Sequence, residues 1–348
     1  MKAYVLHGVN DLRFEDMEEP ILLDNRVLLE VKAAGICGSD IPRIYTNGTY
    51  HFPTIPGHEF AGKVVQVGKD VDSKWLGKRV GLFPLIPCKE CGPCQKKQYE
   101  MCKSYSYLGS REDGGYAEYV TVPVENLVEL PETVSYEAAA MMEPMAVSVH
   151  AMRRMNVGKE ETVVICGLGT IGLLLLMFLK ETGVTNILVV GNKDFQKETI
   201  LDLGISENCY CDSRVQNVEK WVLEKTCGAG TDVFFECVGK KETVIQAINS
   251  TVPGGKIMLL GNPHSDMDLE QNIYWKILRN QLTLKGTWNS SFTGEEDDDW
   301  QYVLEKVAEG KVNPEALITH KLEFNELEKG LKIMRDKTED YVKVMIVR

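Results

Sequence analysis

Short apolar or alternating runs break the first third of the chain into pieces too brief for helices. VLLEVKAAGI, AGKVVQVG and AEYVTVP are each bounded by glycine, proline or aspartate, the pattern of strands joined by turns. From Ser135 the run SYEAAAMMEPMAVSVHAMRRM has helix-forming composition and predicts a helix bridging two domains. The rhythm then changes. VVICG leads into GTIGLLLLMFLKETG, NILVVG into DFQKETILDLG, and DVFFECVG into KKETVIQAINSTV, with GGKIMLLG following. Apolar runs alternating with helical stretches predict parallel βαβ units in a doubly wound sheet. After Trp288 the acidic run TGEEDDDWQYVLEKVAEG predicts a helix, and YVKVMIV predicts a final strand that returns to the first domain. The expected organisation is a β-rich domain from residues 1–149 and 288–348, with an α/β domain of residues 150–287 inserted in it.

Composition changes this picture little. The 348 residues are 44% apolar and 26% charged, an ordinary globular balance. The net charge of −12 leaves no basic footprint for nucleic acid, although a few local Arg or Lys residues could still hold an anionic substrate. The most apolar stretch, Val163 to Leu179, is short for a membrane span and is interrupted by a glycine-rich turn. The opening MKAYVLHGVND lacks the apolar core of a signal peptide, so a cytoplasmic protein is expected.

The ten cysteines are unevenly spread. Cys88, Cys91, Cys94 and Cys102 follow the pattern C-x-x-C-x-x-C-x7-C, which lets one loop wrap an ion in four thiolates. Zinc is the expected occupant, an iron–sulfur cluster is the alternative, and unpaired or redox thiols are the bland reading. A full set of sulfur ligands leaves no position for substrate, so this site reads as structural. Lys89, Lys96 and Lys97 are expected to offset its charge.

A second set is scattered: GICGSD around Cys37, PGHEF around His58 and Glu59, and MEP around Glu143. Cysteine, histidine and carboxylate from separate loops would supply the three ligands of a catalytic zinc and leave one position open. Singly, each is as readily a buried core residue. A third motif adds weight. Gly167-Leu168-Gly169-Thr170-Ile171-Gly172 sits between an apolar strand and a helix, where glycines admit a dinucleotide pyrophosphate to the helix amino terminus. This is the signature of a Rossmann domain, with Val238 and Gly261 as further cofactor candidates. An NAD site usually places Asp or Glu at the end of the next strand, but here Gly191 is followed by Asn192 and Lys193. Without a carboxylate to repel a 2′-phosphate, NADP is favoured over NAD, and Asp194 comes too late unless the loop rescues it.

With GICGSD, GHEF, the cysteine lobe, REDGG (Arg111 to Gly115), MEP and GLGTIG in this order, the sequence resembles the zinc-containing medium-chain dehydrogenases along essentially its whole length. Within them it is similar to the polyol branch, around sorbitol dehydrogenase and galactitol-1-phosphate 5-dehydrogenase. CGSDIPRIYTNG, YLGSREDGGYAEY and KILRNQLTLKGTW carry that likeness. The resemblance implies a GroES-like catalytic domain and a Rossmann domain, two zinc ions per chain and a homodimer or homotetramer. It implies catalytic zinc on Cys37, His58 and either Glu59 or Glu143, and structural zinc on the four clustered cysteines. The activity implied is oxidation of a secondary hydroxyl of a polyol phosphate. A free polyol or secondary alcohol is the alternative, and a non-catalytic zinc and nucleotide-binding member is a more distant one. Ser39 is expected to accept the hydroxyl proton, while Pro42 stands where many alcohol dehydrogenases carry a relay histidine. Arg43, Arg111 and Arg279 are the candidates for a substrate phosphate, and Tyr50, His51, Trp288 and Asn289 for a sugar-shaped pocket.

Overall fold

In the computed structural model, which describes residues 1–263, 265–295 and 298–348, the short runs of the first third become β-strands. These are β1 (Lys2–Gly8), β2 (Asp11–Asp16), β3 (Arg26–Ile36), β4 (Glu59–Val67) and β5 (Arg79–Leu82). Then come β6 (Leu85–Ile86), β7 (Ser106–Tyr107), β8 (Tyr119–Pro123) and β9 (Leu127–Glu129). By its internal contacts the chain divides into two units, Met1–Ala146 with Ser290–Arg348, and Val147–Asn289.

The run from Ser135 is not one helix. It breaks into Tyr136–Ala140 and Met142–Met155. Pro144 is the reason: its ring has no N–H and would clash with the carbonyl four residues back, so it is tolerated only in the first turn of a new helix. Ser135 caps the first piece by accepting from the Ala138 N–H at 3.0 Å.

The second unit holds β10 (Val163–Cys166), β11 (Ile187–Gly191), β12 (Tyr210–Asp212), β13 (Thr231–Glu236), β14 (Thr251–Leu259) and β15 (Thr283–Gly286). They form one parallel sheet in the order β12-β11-β10-β13-β14-β15. Every residue of β10 and β11 is buried, as expected of central strands covered on both faces. The order reverses between β10 and β13, and ligands of such sheets bind at the carboxyl ends of the strands at that reversal.

In the first unit the chain closes with β16 (Ile318–Glu323) and β17 (Lys343–Val347). The main sheet there runs β16-β17-β3-β4-β5-β9, with β8 also paired to β3. Strand β17 lies antiparallel to β3, pairing Val344 with Ile36. Leu29, Ala34, Ile36, Phe60, Val344 and Ile346 share one buried apolar cluster. This cluster fixes the end of β3, from which the chain runs directly into Cys37, and the start of β4, which begins at Glu59. The acidic run after Trp288 becomes the helix Asp299–Ala308, capped by Asp298, which accepts from the Gln301 N–H. Glu296 and Asp297 of that run lie outside the described residues. Among the described residues no helix is long and apolar enough to cross a membrane.

Candidate metal centres and cofactor loop

Cys37 Sγ, a His58 ring nitrogen and a Glu59 carboxylate oxygen all lie within 4.8 Å of one another. His58 and Glu59 are buried, at 4% and 2% exposure, so this grouping cannot be a chance meeting of solvated chains. Below it lies Asp40, fully buried, with four polar neighbours. Its carboxylate accepts from the Cys37 N–H at 3.0 Å, the Tyr116 hydroxyl at 2.7 Å and the Arg43 guanidinium at 2.7 Å. Its Oδ1 also stands 3.5 Å from His58 Nδ1, which has no closer partner. Burial alone would raise the Asp40 pKa, but His58, Arg43 and Tyr116 outweigh it and hold the carboxyl well below its usual range. Burial likewise opposes charge on His58, yet Asp40 and Cys37 hold its pKa well above the ordinary value. The set is rich in anionic donors and therefore selects a cation.

Glu143 is not in that grouping. Its carboxylate accepts from the Tyr107 hydroxyl at 3.2 Å, and burial, reinforced by Glu59, raises its pKa. The Tyr107 ring lies 5.7 Å from that of His58. Glu59 is engaged from the other side by Lys343 of β17, which also donates to the Ile36 carbonyl at 3.0 Å. Ser39 donates its hydroxyl to Cys37 Sγ at 3.2 Å.

The second centre is compact. Sulfurs of Cys88, Cys91, Cys94 and Cys102 approach one another at 3.5 Å to 3.9 Å where they touch. Four thiolates around one zinc ion, at Zn–S distances of about 2.3 Å, put sulfurs roughly 3.8 Å apart. These separations fit a single ion, whereas an iron–sulfur cluster divides its four thiolates among two or four irons and spreads the set further. All ten cysteines are unpaired. Of the nearby lysines, Lys89 is paired with Glu125 and Lys97 with Glu295. Backbone N–H groups of Lys103 and Cys94 pull the Cys91 thiol down to about 6, and those of Glu90 and Cys91 lower Cys88.

At the carboxyl end of β10 the chain turns through Gly167, at φ 103°, into the helix Thr170–Glu181. A Cβ on Gly172 would meet the Gly167 carbonyl at 2.0 Å, so only glycine lets the helix seat against the turn. Gly169 caps that helix without a side chain, so nothing at the cap position bars a phosphate from the helix amino terminus. At the end of β11, a Cβ on Gly191 would come within 2.8 Å of Gln196 Oε1 and 2.9 Å of Tyr210. Gln196 accepts from the Asn192 N–H and donates to the Leu168 carbonyl, tying the two loops together. Val238 packs where a Gly167 side chain would go, and Gly261 lies against Gly239.

Residues 23–132 match the family model of the alcohol dehydrogenase GroES-like domain, and residues 170–309 that of the zinc-binding dehydrogenases. L-Idonate 5-dehydrogenase of Vitis vinifera is 33% identical over 333 residues, 94% of this chain and 88% of that protein. Galactitol 1-phosphate 5-dehydrogenase of Escherichia coli (strain K12) is 30% identical over 308 residues, 88% of each. The chain belongs to the zinc-containing medium-chain dehydrogenases. Among solved structures, galactitol-1-phosphate dehydrogenase from Escherichia coli matches with a TM-score of 0.91 at 29% identity, over 100% of both chains. A zinc-binding dehydrogenase of Sinorhizobium meliloti 1021 bound to NADP matches at TM-score 0.90 and 26% identity, over 100% of this chain and 99% of that one. A short chain alcohol dehydrogenase of Escherichia coli CFT073 in complex with NADH has the same TM-score, identity and coverage.

Other expected site residues of this dehydrogenase are placed as follows. Arg43 is committed to Asp40, and Arg111 is packed against Tyr50 and Tyr105. Arg279, Trp288 and Asn289 belong to the second unit, with Arg279 over the Trp275 ring and Trp288 59% exposed. Asp194 is paired with Arg214. Sequence reasoning missed Asp40, Tyr107, Tyr116 and Lys343. Only Asp40, three residues beyond Cys37 in GICGSD, carried a local signal. Asp40→Asn is expected to weaken zinc at the Cys37–His58–Glu59 centre by about 10–100-fold, as loss of a carboxylate behind a metal-binding histidine does. Chelator titration with zinc counting checks this: the four-cysteine zinc should be retained, and equal loss from both centres would refute the assignment.

Proposed function

We propose that this dehydrogenase oxidises a secondary hydroxyl of a polyol phosphate to the corresponding keto-sugar phosphate, with NADP as hydride acceptor. The observation that carries the reading is the buried grouping of Cys37, His58 and Glu59. Those three residues would hold zinc, with Glu143 as a second carboxylate beside them. Zinc bound there would polarise the substrate hydroxyl and lower its pKa. Ser39, whose hydroxyl donates to Cys37 Sγ at 3.2 Å, would relay the substrate's hydroxyl proton onward to water, and the Gly167–Gly172 turn would hold a dinucleotide that supplies the hydride-accepting chemistry when bound. Cys88, Cys91, Cys94 and Cys102 would hold the structural zinc.

The polyol substrate is supported by the relatives, of which one acts on galactitol 1-phosphate and another on L-idonate by name. NADP is supported at the end of β11, where Gln196 and Tyr210 fill the space an acidic side chain would need at Gly191. Asp194 is held by Arg214, and Lys193, next in the chain after Asn192, has its Nζ 5.2 Å from the centre of the Phe195 ring. A homodimer is supported by β15, an edge strand of the parallel sheet, and by exposed Tyr274, Trp275 and Leu278 on the helix Gln271–Arg279.

The test is a rate screen of sugar alcohols and their phosphates with each cofactor. The reading requires a higher kcat/KM for phosphorylated polyols, and equal rates for free ones would refute it. Lys193→Ala is expected to raise KM for NADP(H) about 10-fold, the loss of one charge-assisted contact, while leaving NAD(H) nearly unchanged. An unaltered NADP(H) KM would refute the cofactor assignment.

A further inference from the structure

Arg111 sits on a turn built around one carbonyl. The Tyr107 C=O accepts from the N–H groups of Ser110, Arg111 and Glu112 at 3.3, 2.9 and 3.1 Å. A second segment is tied to that turn. The Thr49 hydroxyl donates to the Ser110 carbonyl, and His51 Nε2 lies 3.0 Å from the Arg111 carbonyl. The two segments bring the Tyr50 and Tyr105 rings against the guanidinium, with centroids 4.0 Å and 4.5 Å from its Cζ. Cation–π packing of this kind leaves the N–H groups to meet an acceptor.

Among the described residues, Arg111 Nε is buried without a hydrogen-bond partner. Other arginines of this unit are spoken for: Arg26 by Glu112, Arg43 by Asp40, Arg13 by Asp11 and Arg348 by Glu118. The acids next to Arg111 in sequence are turned to other partners, Glu112 to Arg26 at 2.6 Å and Asp113 to the Ile55 N–H at 2.8 Å. A buried donor without an acceptor, held against two aromatic rings, is a site prepared for a ligand rather than for the fold.

Its position supplies the ligand's chemistry. The Tyr105 ring meets the Tyr107 ring edge-on at 6.2 Å, and the Tyr107 ring lies 5.7 Å from His58. The guanidinium is thus linked to the metal donor set through the Tyr105 and Tyr107 rings. We propose that Arg111, packed against Tyr50 and Tyr105, is the subsite that binds the phosphate of the substrate and makes the enzyme select phosphorylated over free polyols. This inference rests on the polyol-phosphate reading above. Arg43 is excluded from the role because its guanidinium is already held by buried Asp40.

The experiment compares wild type, Arg111→Met and Arg111→Lys on hexitol 1-phosphates and free hexitols, with inorganic phosphate as an inhibitor. Zinc content and NADPH binding are the controls for folding. In wild type, inorganic phosphate should compete with the phosphorylated substrate. Arg111→Met should raise KM for phosphorylated polyols about 10–100-fold, leave free polyols unchanged and abolish phosphate inhibition, and Arg111→Lys should restore part of the preference. If wild type prefers phosphorylated polyols and Arg111→Met keeps that preference, the Arg111 subsite is wrong and the substrate reading stands. If wild type shows no preference, the substrate reading fails and the subsite with it.

Discussion

Cys37→Ser is expected to lower kcat/KM by at least about 10³-fold, a loss of roughly 4 kcal/mol of transition-state stabilisation, while one zinc per chain remains. The argument is one of donors. Cys37 contributes the sulfur of the three-residue set, and its N–H and thiol are both engaged, by Asp40 at 3.0 Å and Ser39 at 3.2 Å. Serine keeps the backbone contact and the volume but offers a hydroxyl that does not ionise near neutral pH, so zinc affinity should collapse at this centre alone. Metal counting beside steady-state rates checks it. Near-normal turnover with one zinc missing would remove the Cys37 centre from the chemistry.

Cys94→Ala is expected to act on stability. Cys94 is one of the two buried members of its set, 5% exposed like Cys102, and sulfurs of both Cys88 and Cys91 contact it. Apart from the short pairing of β6 with β7 and the four-residue helix Gly92–Gln95, the lobe has little regular structure of its own. A single ion would therefore supply much of its order, and structural zinc sites contribute about 10–16 kcal/mol of apparent binding energy in isolated zinc modules. Loss of that zinc should lower Tm by at least about 10 °C and expose the lobe to protease. Calorimetry and limited proteolysis measure both. A variant that lost its zinc yet melted like wild type would show that the cysteines carry no structural load.

How far these centres could be read from the sequence depended on how local they are. Four cysteines within one loop announce their spacing, and Gly167 to Gly172 announces itself between a strand and a helix. The strand rhythm gave the parallel sheet because β10 and β11 are apolar throughout. The partners of the Cys37–His58–Glu59 set could not be read that way. Tyr116 meets Asp40 from 76 residues away, and Lys343 meets Glu59 from 284 residues away, so only the folded sheet joins them. The helix break at Pro144 was visible in principle, since proline belongs in a first turn. The ion pairs of Lys89 and Lys97 were likewise out of reach, because their partners Glu125 and Glu295 are remote in sequence.

The placing of Lys343 on β17, beside Glu59 at the head of β4, also sets a schedule for biosynthesis. A ribosome adding about 5–20 residues per second takes roughly 15–60 seconds to travel from Glu59 to Lys343. During that interval Cys37, His58 and Glu59 have all emerged, but the carboxylate lacks its cationic partner and β3 lacks its neighbour. Until the last strand arrives, β3 can pair only with β4 and β8, and the Glu59–Lys343 pair is the last contact of this centre that can form.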